Sequence, residues 1–289
     1  MGATGNFASP VVQSLKGHSD VKLRLTSRSQ SSAAKLRSLY PNAEVIVADW
    51  NNRDSLVAAF EGAQRALMIT PDLTDEATVV PNVIAAVNQS PTFDLLVRLI
   101  AIPPIAEQYM TDEWLSTKLG VAMHWLAKSA FKDSGLPMAY INVPAWTAFT
   151  VPWLCGEAVR TRRELPLTGD AIRPWIVESD ASEVMTKVLL EGPDEHAGRE
   201  YVLTGPQLLN FAGIAQMLSE EIGEKVSWVD SSEDYKAAIG EHADALAIYA
   251  GYSGRHAAKQ PITDTLGQLL GRPATTMHQY VKENLRLFK

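Results

Sequence analysis

One rhythm constrains this 289-residue chain more than any other feature: its first half alternates short β-branched runs with stretches of helical periodicity. Val21–Ser27, Glu44–Ala48, Arg65–Thr70, Phe93–Ile100 and Met138–Val143 read as strands. Between them the spacing predicts helices over Ser31–Tyr40, Arg53–Phe60, Ala77–Val87 and, as one long element, Asp112–Lys132. Strands that alternate with helices predict an α/β fold, a parallel sheet with helices on both faces. Phe93–Ile100 is apolar nearly throughout, as strands covered on both faces are.

The second half loses this rhythm. Cys155–Glu178 carries Pro166, Gly169 and Pro174 and reads as irregular. Asp180 is placed to cap a helix over Ala181–Leu190, and Asn210 one that runs to about Glu221. Short strands are expected at Tyr201–Thr204 and Val226–Val229, and a last helix at Met277–Leu287. The expected division is a core over residues 1–150 and a smaller, mostly helical lobe over residues 151–289 that shares strands with it.

Composition removes several classes. With 46% hydrophobic and 20% charged residues the chain is of ordinary globular type, not disordered or fibrous. A net charge of −7 argues against a nucleic-acid or anionic-membrane surface. No apolar run approaches the roughly 20 residues of a bilayer span, and the start lacks the layout of a signal peptide. The single cysteine, Cys155, excludes an internal disulfide and a thiolate metal cluster, which makes a reduced, cytoplasmic setting the expectation. The six histidines lie scattered without metal-ligand spacing, so no metal is expected.

Gly2-Ala3-Thr4-Gly5-Asn6-Phe7-Ala8 opens the chain and leads into a helix. Glycines let a backbone turn tightly and approach a pyrophosphate, to which the helix N-terminus offers free N–H groups and a positive dipole end. Ser27 and Arg28 then end a strand about where dinucleotide folds read the adenosine ribose. A carboxylate there would bind a 2′-hydroxyl. Arg28, with Lys35 and Arg37 following, suits a 2′-phosphate and so NADP over NAD; the plain alternative is a solvated loop arginine. Asp49 ends the next strand and is placed either to accept from the adenine amino group or to cap a helix. Thr70 and Pro71 end a third strand, where a loop flanks a bound cofactor. Against this stands the first residue: only Met1 precedes Gly2, whereas a dinucleotide fold has a central apolar strand there. The chain as given is truncated, or its start is misassigned, or it manages without that strand. Loss of the strand would leave two rows of unpaired backbone groups and a gap in the core.

These residues resemble the NmrA-like group of atypical short-chain dehydrogenases/reductases. The likeness rests on the opening Gly2–Ala8, on Ser27-Arg28, on Ala48-Asp49 and on Ile69-Thr70-Pro71. Leu203-Thr204-Gly205-Pro206-Gln207-Leu208-Leu209-Asn210 and Leu270-Gly271-Arg272-Pro273 are similar to its C-terminal half, the ergot-alkaloid reductases among its members included. The resemblance implies a Rossmann-like NADP-binding core with a C-terminal substrate lobe. Its members include reductases of quinones, imines and phenylpropanoids, and redox sensors that bind NADP without catalysis. It implies that Gly2, Thr4, Gly5, Asn6 and Phe7 cradle the pyrophosphate, that Arg28 holds the 2′-phosphate and that Asp49 faces the adenine.

The usual reductase signature, Tyr-x-x-x-Lys with an upstream Ser, is incomplete. The matching stretch is Trp114-Leu115-Ser116-Thr117-Lys118, and the Ser position is Ala101. An indole N–H is no usable acid. On one continuous helix Lys118 would lie among Trp114, Leu115, Val121 and Ala122, an apolar face. There it would touch the nicotinamide ribose or orient substrate, or else snorkel at a core edge. Tyr109 is the second candidate acid, or a packed loop aromatic. His124 is expected to be structural or exposed. No serine has a nucleophile-elbow setting. Asn142-Val143-Pro144-Ala145-Trp146-Thr147 resembles the family's pocket-lining RPxxF turn, with Asn142 in place of the arginine. Trp146, Phe149 and Trp153, with Trp114, suit a flat, apolar substrate, or are core aromatics.

Three readings follow. The first is an NADPH-dependent reductase of a small flat organic substrate: a quinone, an imine or iminium, or an aromatic secondary metabolite. The second is a non-catalytic NADP sensor, and the third a cofactor-independent isomerase or cyclase. Beyond a small-molecule substrate no nucleic acid or membrane partner is expected, and the chain would be a monomer or a homodimer.

Overall fold

Each strand of the first half forms close to where its β-branched run places it. The computed structural model describes residues 2–71, 74–103, 106, 110–118, 120–240, 259 and 261–289. They fall into two units. The first comprises Met1–Ile102, Met110–Asn142 and Ser182–Tyr201. Its elements are α1 (Ala8–Leu15), β1 (Arg24–Ser27), α2 (Gln30–Leu39), β2 (Glu44–Val47), α3 (Arg53–Phe60), β3 (Arg65–Met68), α4 (Glu76–Val87), β4 (Leu95–Ile100), α5 (Asp112–Thr117), α6 (Val121–Lys132) and β5 (Met138–Asn142). Caps fix the helix starts: Ser29 accepts from the Ser32 amide, Asn52 from Ser55 and Thr111 from Trp114.

The sheet is parallel wherever its register is seen. Arg24 faces Glu44 between β1 and β2, Arg65 faces Leu95 between β3 and β4, and Leu96 faces Met138 between β4 and β5. Strand β9 (Glu200–Val202) continues the order β3-β4-β5-β9. The α4 residues Val79, Val80 and Val83 pack with Met68, Leu96 and Phe131 in one core. Strands β1 and β2 form a separate pair. Among the described residues neither β1 nor β3 has a second strand partner. Between them lies a slot of about 1040 Å³, walled by Val11, Val12 and Leu15 of α1 and by Ala59 and Phe60 of α3.

The expected single helix over Asp112–Lys132 is two helices. Asp112–Thr117 closes at Lys118, an L-residue in the left-handed region with φ 54°, and Gly120, also at positive φ (49°), precedes α6. Two residues at positive φ therefore separate the helices, a conformation that favours glycine and is strained for the lysine.

The second unit comprises Pro103–Tyr109, Val143–Ala181 and Val202–Lys289. It holds β6 (Trp146–Thr147), α7 (Thr150–Arg162), β7 (Glu164–Pro166), β8 (Arg173–Ile176), β10 (Leu208–Leu209), α10 (Phe211–Ile222), β11 (Ser227–Val229), α11 (Ser232–Ile239), α12 (Thr265–Leu270) and α13 (Met277–Glu283). The stretch expected to be irregular, Cys155–Glu178, is helix to Arg162 and strand over Glu164–Pro166 and Arg173–Ile176, and is irregular over residues 167–172, where Gly169 takes φ 71°. Pro152 sits in the first turn of α7, where a missing N–H costs nothing, and Gly156 lets the Leu287 carbonyl approach to 3.2 Å of where a Cβ would stand. Asn210 caps α10 as expected, accepting from the Gly213 amide. Asp180 does not cap: it lies inside α8 (Glu178–Glu191), and its buried carboxylate accepts from Arg272 and from the amide and hydroxyl of Thr275.

Candidate nucleotide-binding site

The glycine loop has the shape its sequence requires. Gly2 sits at φ 82°, and the Gly5 amide donates to the Gly2 carbonyl at 2.9 Å. A Cβ on Gly5 would stand 3.3 Å from that carbonyl, so a side chain there would crowd the turn. Thr4, Gly5 and Asn6 are exposed, while Ala3 and Ala8 are buried and anchor the loop. The Ser182 hydroxyl holds it from α8 by donating to the Phe7 carbonyl at 2.8 Å. Helix α1 begins at Ala8 with Phe7 at its N-cap and no side-chain capping bond, and the Ser9 amide donates to the Gly5 carbonyl at 2.8 Å.

Arg28 follows β1 directly, is exposed, and makes no side-chain hydrogen bond or ion pair among the described residues. It differs in this from Arg24, held by Glu44, and from Arg37, which donates to the Val45 carbonyl. Asp49 is half-buried after β2, and its Oδ1 accepts from the Asn51 amide at 3.0 Å. The capping role belongs to Asn52, which leaves the other Asp49 oxygen for an incoming donor.

Thr70 is placed differently from its expected part. Its hydroxyl is buried, donating to Glu76 Oε1 at 2.8 Å and accepting from Arg98 at 3.2 Å. The Arg98 Nη2 also meets Glu76 Oε1 at 2.6 Å. Only the Thr70 backbone and Pro71, which is exposed and holds Thr74 through its carbonyl, can face a ligand. Arg98 is fully buried in β4, and its guanidinium lies 5.6 Å from the Phe131 ring. His124 on α6 is buried rather than exposed; burial first, and the Arg98 charge second, lower its pKa to about 3, so it is neutral. Sequence reasoning missed Arg98 and Glu76. The available signal was a single charge in the otherwise apolar run Leu95–Ile100.

Of the two catalytic candidates only Lys118 falls among the described residues. Lys118 is exposed, at the break between α5 and α6, and not on the apolar helix face expected of it. Trp114 is buried at 6% exposure. Tyr109 lies outside the described residues. Asn142 ties strand ends together, bonding both backbone groups of Ile102 and the Glu200 carboxylate.

In the second unit the aromatic residues form two groups rather than one. Trp146 meets Trp175 at 5.7 Å and Phe211 at 5.6 Å, with the Arg173 guanidinium 4.4 Å over its ring. Phe149 and Trp153 stack at 5.9 Å, and Trp153 is 58% exposed. Trp146 lies on β6, so its helical spacing to Phe149 and Trp153 is coincidental. Arg160, Arg162 and Arg163 are ion-paired with Glu157, Glu164, Asp234 and Glu224. Among the described residues no group of three metal-ligating side chains occurs, and no helix is long and apolar enough to cross a membrane.

Comparison with known proteins agrees with this loop. Residues 2–136 match a family described as NAD(P)H-binding. The chain is 24% identical to an NAD(P)H azoreductase of Xenophilus azovorans, over 100% of this chain and 98% of that protein. The NADPH-dependent quinone oxidoreductase 2 of Escherichia coli, solved with NADPH, superimposes with a TM-score of 0.77 at 22% identity, covering 98% of both chains. NmrA, a negative transcriptional regulator solved with NAD, superimposes with a TM-score of 0.71 at 17% identity, covering 99% of this chain and 94% of its own. The chain shares the overall fold of these solved proteins. The residues present fit a nicotinamide dinucleotide: a glycine turn without room for side chains, an uncapped helix start and an unpartnered arginine at the end of β1.

Proposed function

We propose that this chain is an NADPH-dependent reductase of a small, flat, electron-poor organic molecule, such as a quinone, an iminium or an aromatic metabolite. The bound nicotinamide supplies a hydride to an electrophilic carbon. Gly2–Phe7 and the start of α1 hold the diphosphate, Arg28 the 2′-phosphate, Asp49 the adenine, and the Thr70–Pro71 backbone flanks the rest. Lys118, exposed at the break between α5 and α6, is the candidate to hold the ribose, with Tyr109 as the second candidate to hold a proton at the reduced atom. Trp146, Phe149 and Trp153 are the candidates to stack on a flat substrate, the half-open Trp153–Phe149 pair foremost.

The observation that carries this reading is Arg28. A guanidinium just past β1 without a partner among the described residues matches a phosphate dianion and has no use for a 2′-hydroxyl. A charge-assisted pair of this kind is worth about 1.5–3 kcal/mol. Arg28→Ala should therefore weaken NADPH binding about 10- to 100-fold by fluorescence titration and leave NADH binding within about twofold. Equal loss for both nucleotides, or no NADPH binding by the intact chain, would overturn the assignment.

A second reading, an NADP sensor without turnover, is favoured by the buried Trp114 at the usual tyrosine position and by Lys118 standing off the helix. Binding of NADPH with no oxidation in the presence of a simple benzoquinone would select it.

A further inference from the structure

Thr70 just past β3, Glu76 in the first turn of α4 and Arg98 in β4 close a polar triangle inside the first unit. Glu76 Oε1 accepts from the Thr70 hydroxyl at 2.8 Å and from Arg98 Nη2 at 2.6 Å, and Nη2 also donates to the Thr70 hydroxyl at 3.2 Å. Arg98 is fully buried, Glu76 is 5% exposed and Thr70 7%. Stability is a poor account of such a cluster. Arg98 Nε and Nη1 and Glu76 Oε2 have no hydrogen-bond partner among the described residues. Well-packed apolar side chains often replace a buried ion pair at no loss of stability. What the polar groups add is direction, because hydrogen bonds fix distance and angle where apolar contacts slide.

That direction is imposed on the segment that meets the glycine turn. A Cβ on Gly2 would stand 3.1 Å from the Ile69 carbonyl and 3.8 Å from the Ile69 Cβ, so Ile69 lies against the turn and Thr70 follows it. Asp75, at the N-cap of α4, makes no side-chain capping bond, and the Thr70–Glu76 contact joins the two ends of the connection between β3 and α4. We propose that Arg98 and Glu76 are positioning residues of the nucleotide site: through the Thr70 hydroxyl they fix the Ile69–Pro71 backbone against the glycine turn, where it flanks the bound cofactor. The proposal deepens the cofactor reading above and rests on it. A binding geometry has to be held to within about 0.5 Å, and the side chains behind those that touch the ligand hold it.

The test uses the full chain and three variants. Thr70→Val keeps the shape and removes the hydroxyl, Thr70→Ser keeps the hydroxyl, and Arg98→Met combined with Glu76→Gln removes both charges together. The Thr74 amide bonds the Pro71 carbonyl, and the Thr78 and Val79 amides bond that of Asp75. Without nucleotide, Thr70→Val and the double variant should speed hydrogen exchange at these three amides about tenfold or more relative to the Tyr140 amide of β5, which the Arg199 carbonyl holds. NADPH, followed by its fluorescence, should bind both about five- to tenfold more weakly, and Thr70→Ser should match the parent in both measurements. Unchanged exchange in Thr70→Val and the double variant, or Thr70→Ser as impaired as Thr70→Val, would overturn the proposal. So would faster exchange with NADPH affinity unchanged, which would make the triangle a fastening of the fold alone. The outcomes separate from the cofactor reading: a parent chain that binds no NADPH removes that reading, and the exchange measurement then decides by itself whether the triangle fixes this backbone.

Discussion

Replacing Arg98 with methionine tests the buried charge cluster beneath Thr70. The guanidinium is fully buried and meets Glu76 at 2.6 Å, yet its Nε and Nη1 and the Glu76 Oε2 have no hydrogen-bond partner among the described residues. Incomplete satisfaction holds the pair's net contribution low, because desolvation of both charges offsets much of their attraction. Removal of one partner is a different matter. Methionine at 98 leaves the Glu76 carboxylate, 5% exposed, with only the Thr70 hydroxyl to bond it. Breaking a buried pair in this way costs about 3–5 kcal/mol. Losing the contact with Phe131 adds a fraction more. The expected fall in Tm is about 6–20 °C. Arg98→Met combined with Glu76→Gln should recover most of the loss, since no unpaired charge remains inside. Urea denaturation of the four proteins of this cycle gives the coupling directly. A single-variant cost below about 1 kcal/mol, or a double variant as unstable as Arg98→Met, would refute the argument.

Three other outcomes are expected. Gly205→Ala should destabilise the chain by at least about 2 kcal/mol in urea melts: its Cβ would stand 2.2 Å from the Trp175 carbonyl, which already accepts from the Gly205 amide at 2.7 Å. His124 is held neutral with a folded pKa of about 3 against 6.5 in the open chain, so its contribution is full above pH 6.5 and is lost as pH falls towards 3. Between pH 6.5 and 4.5 this amounts to about 2–3 kcal/mol, and His124→Gln should flatten that part of the stability profile. Arg98→Met should also raise the His124 pKa in an NMR titration, because one of the two causes of its depression disappears.

The first unit was legible because its strands are short β-branched runs set between helix caps such as Ser29 and Asn52, and local chemistry of that kind survives tertiary context. The α5–α6 break was not. Trp114 to Lys132 keeps helical periodicity, and the stop depends on two residues taking positive φ, which residue type alone does not announce at Lys118. The reading of Cys155–Glu178 failed for the opposite reason. Pro166, Gly169 and Pro174 were read as breakers, but Pro166 and Pro174 sit within the short strands β7 and β8, and only Gly169, at φ 71°, lies in irregular backbone between them. The Gly2–Gly5 turn and the exposed Arg28 just past β1 were legible because a turn is built from consecutive backbone. The bonding of the Thr70 hydroxyl had no local signal, since its partners Glu76 and Arg98 come from other elements. Asp180 likewise looked like a cap, and only the fold brings Arg272 and Thr275 to it.

That arrangement at Asp180 has a bearing on how the chain completes itself. The carboxylate lies near the middle of the sequence, but each of its tertiary donors comes from the stretch beyond Gly271. Until those late residues arrive, α8 carries an interior anion with nothing to neutralise it. The second unit therefore cannot close around that carboxylate before Arg272 and Thr275 have been made.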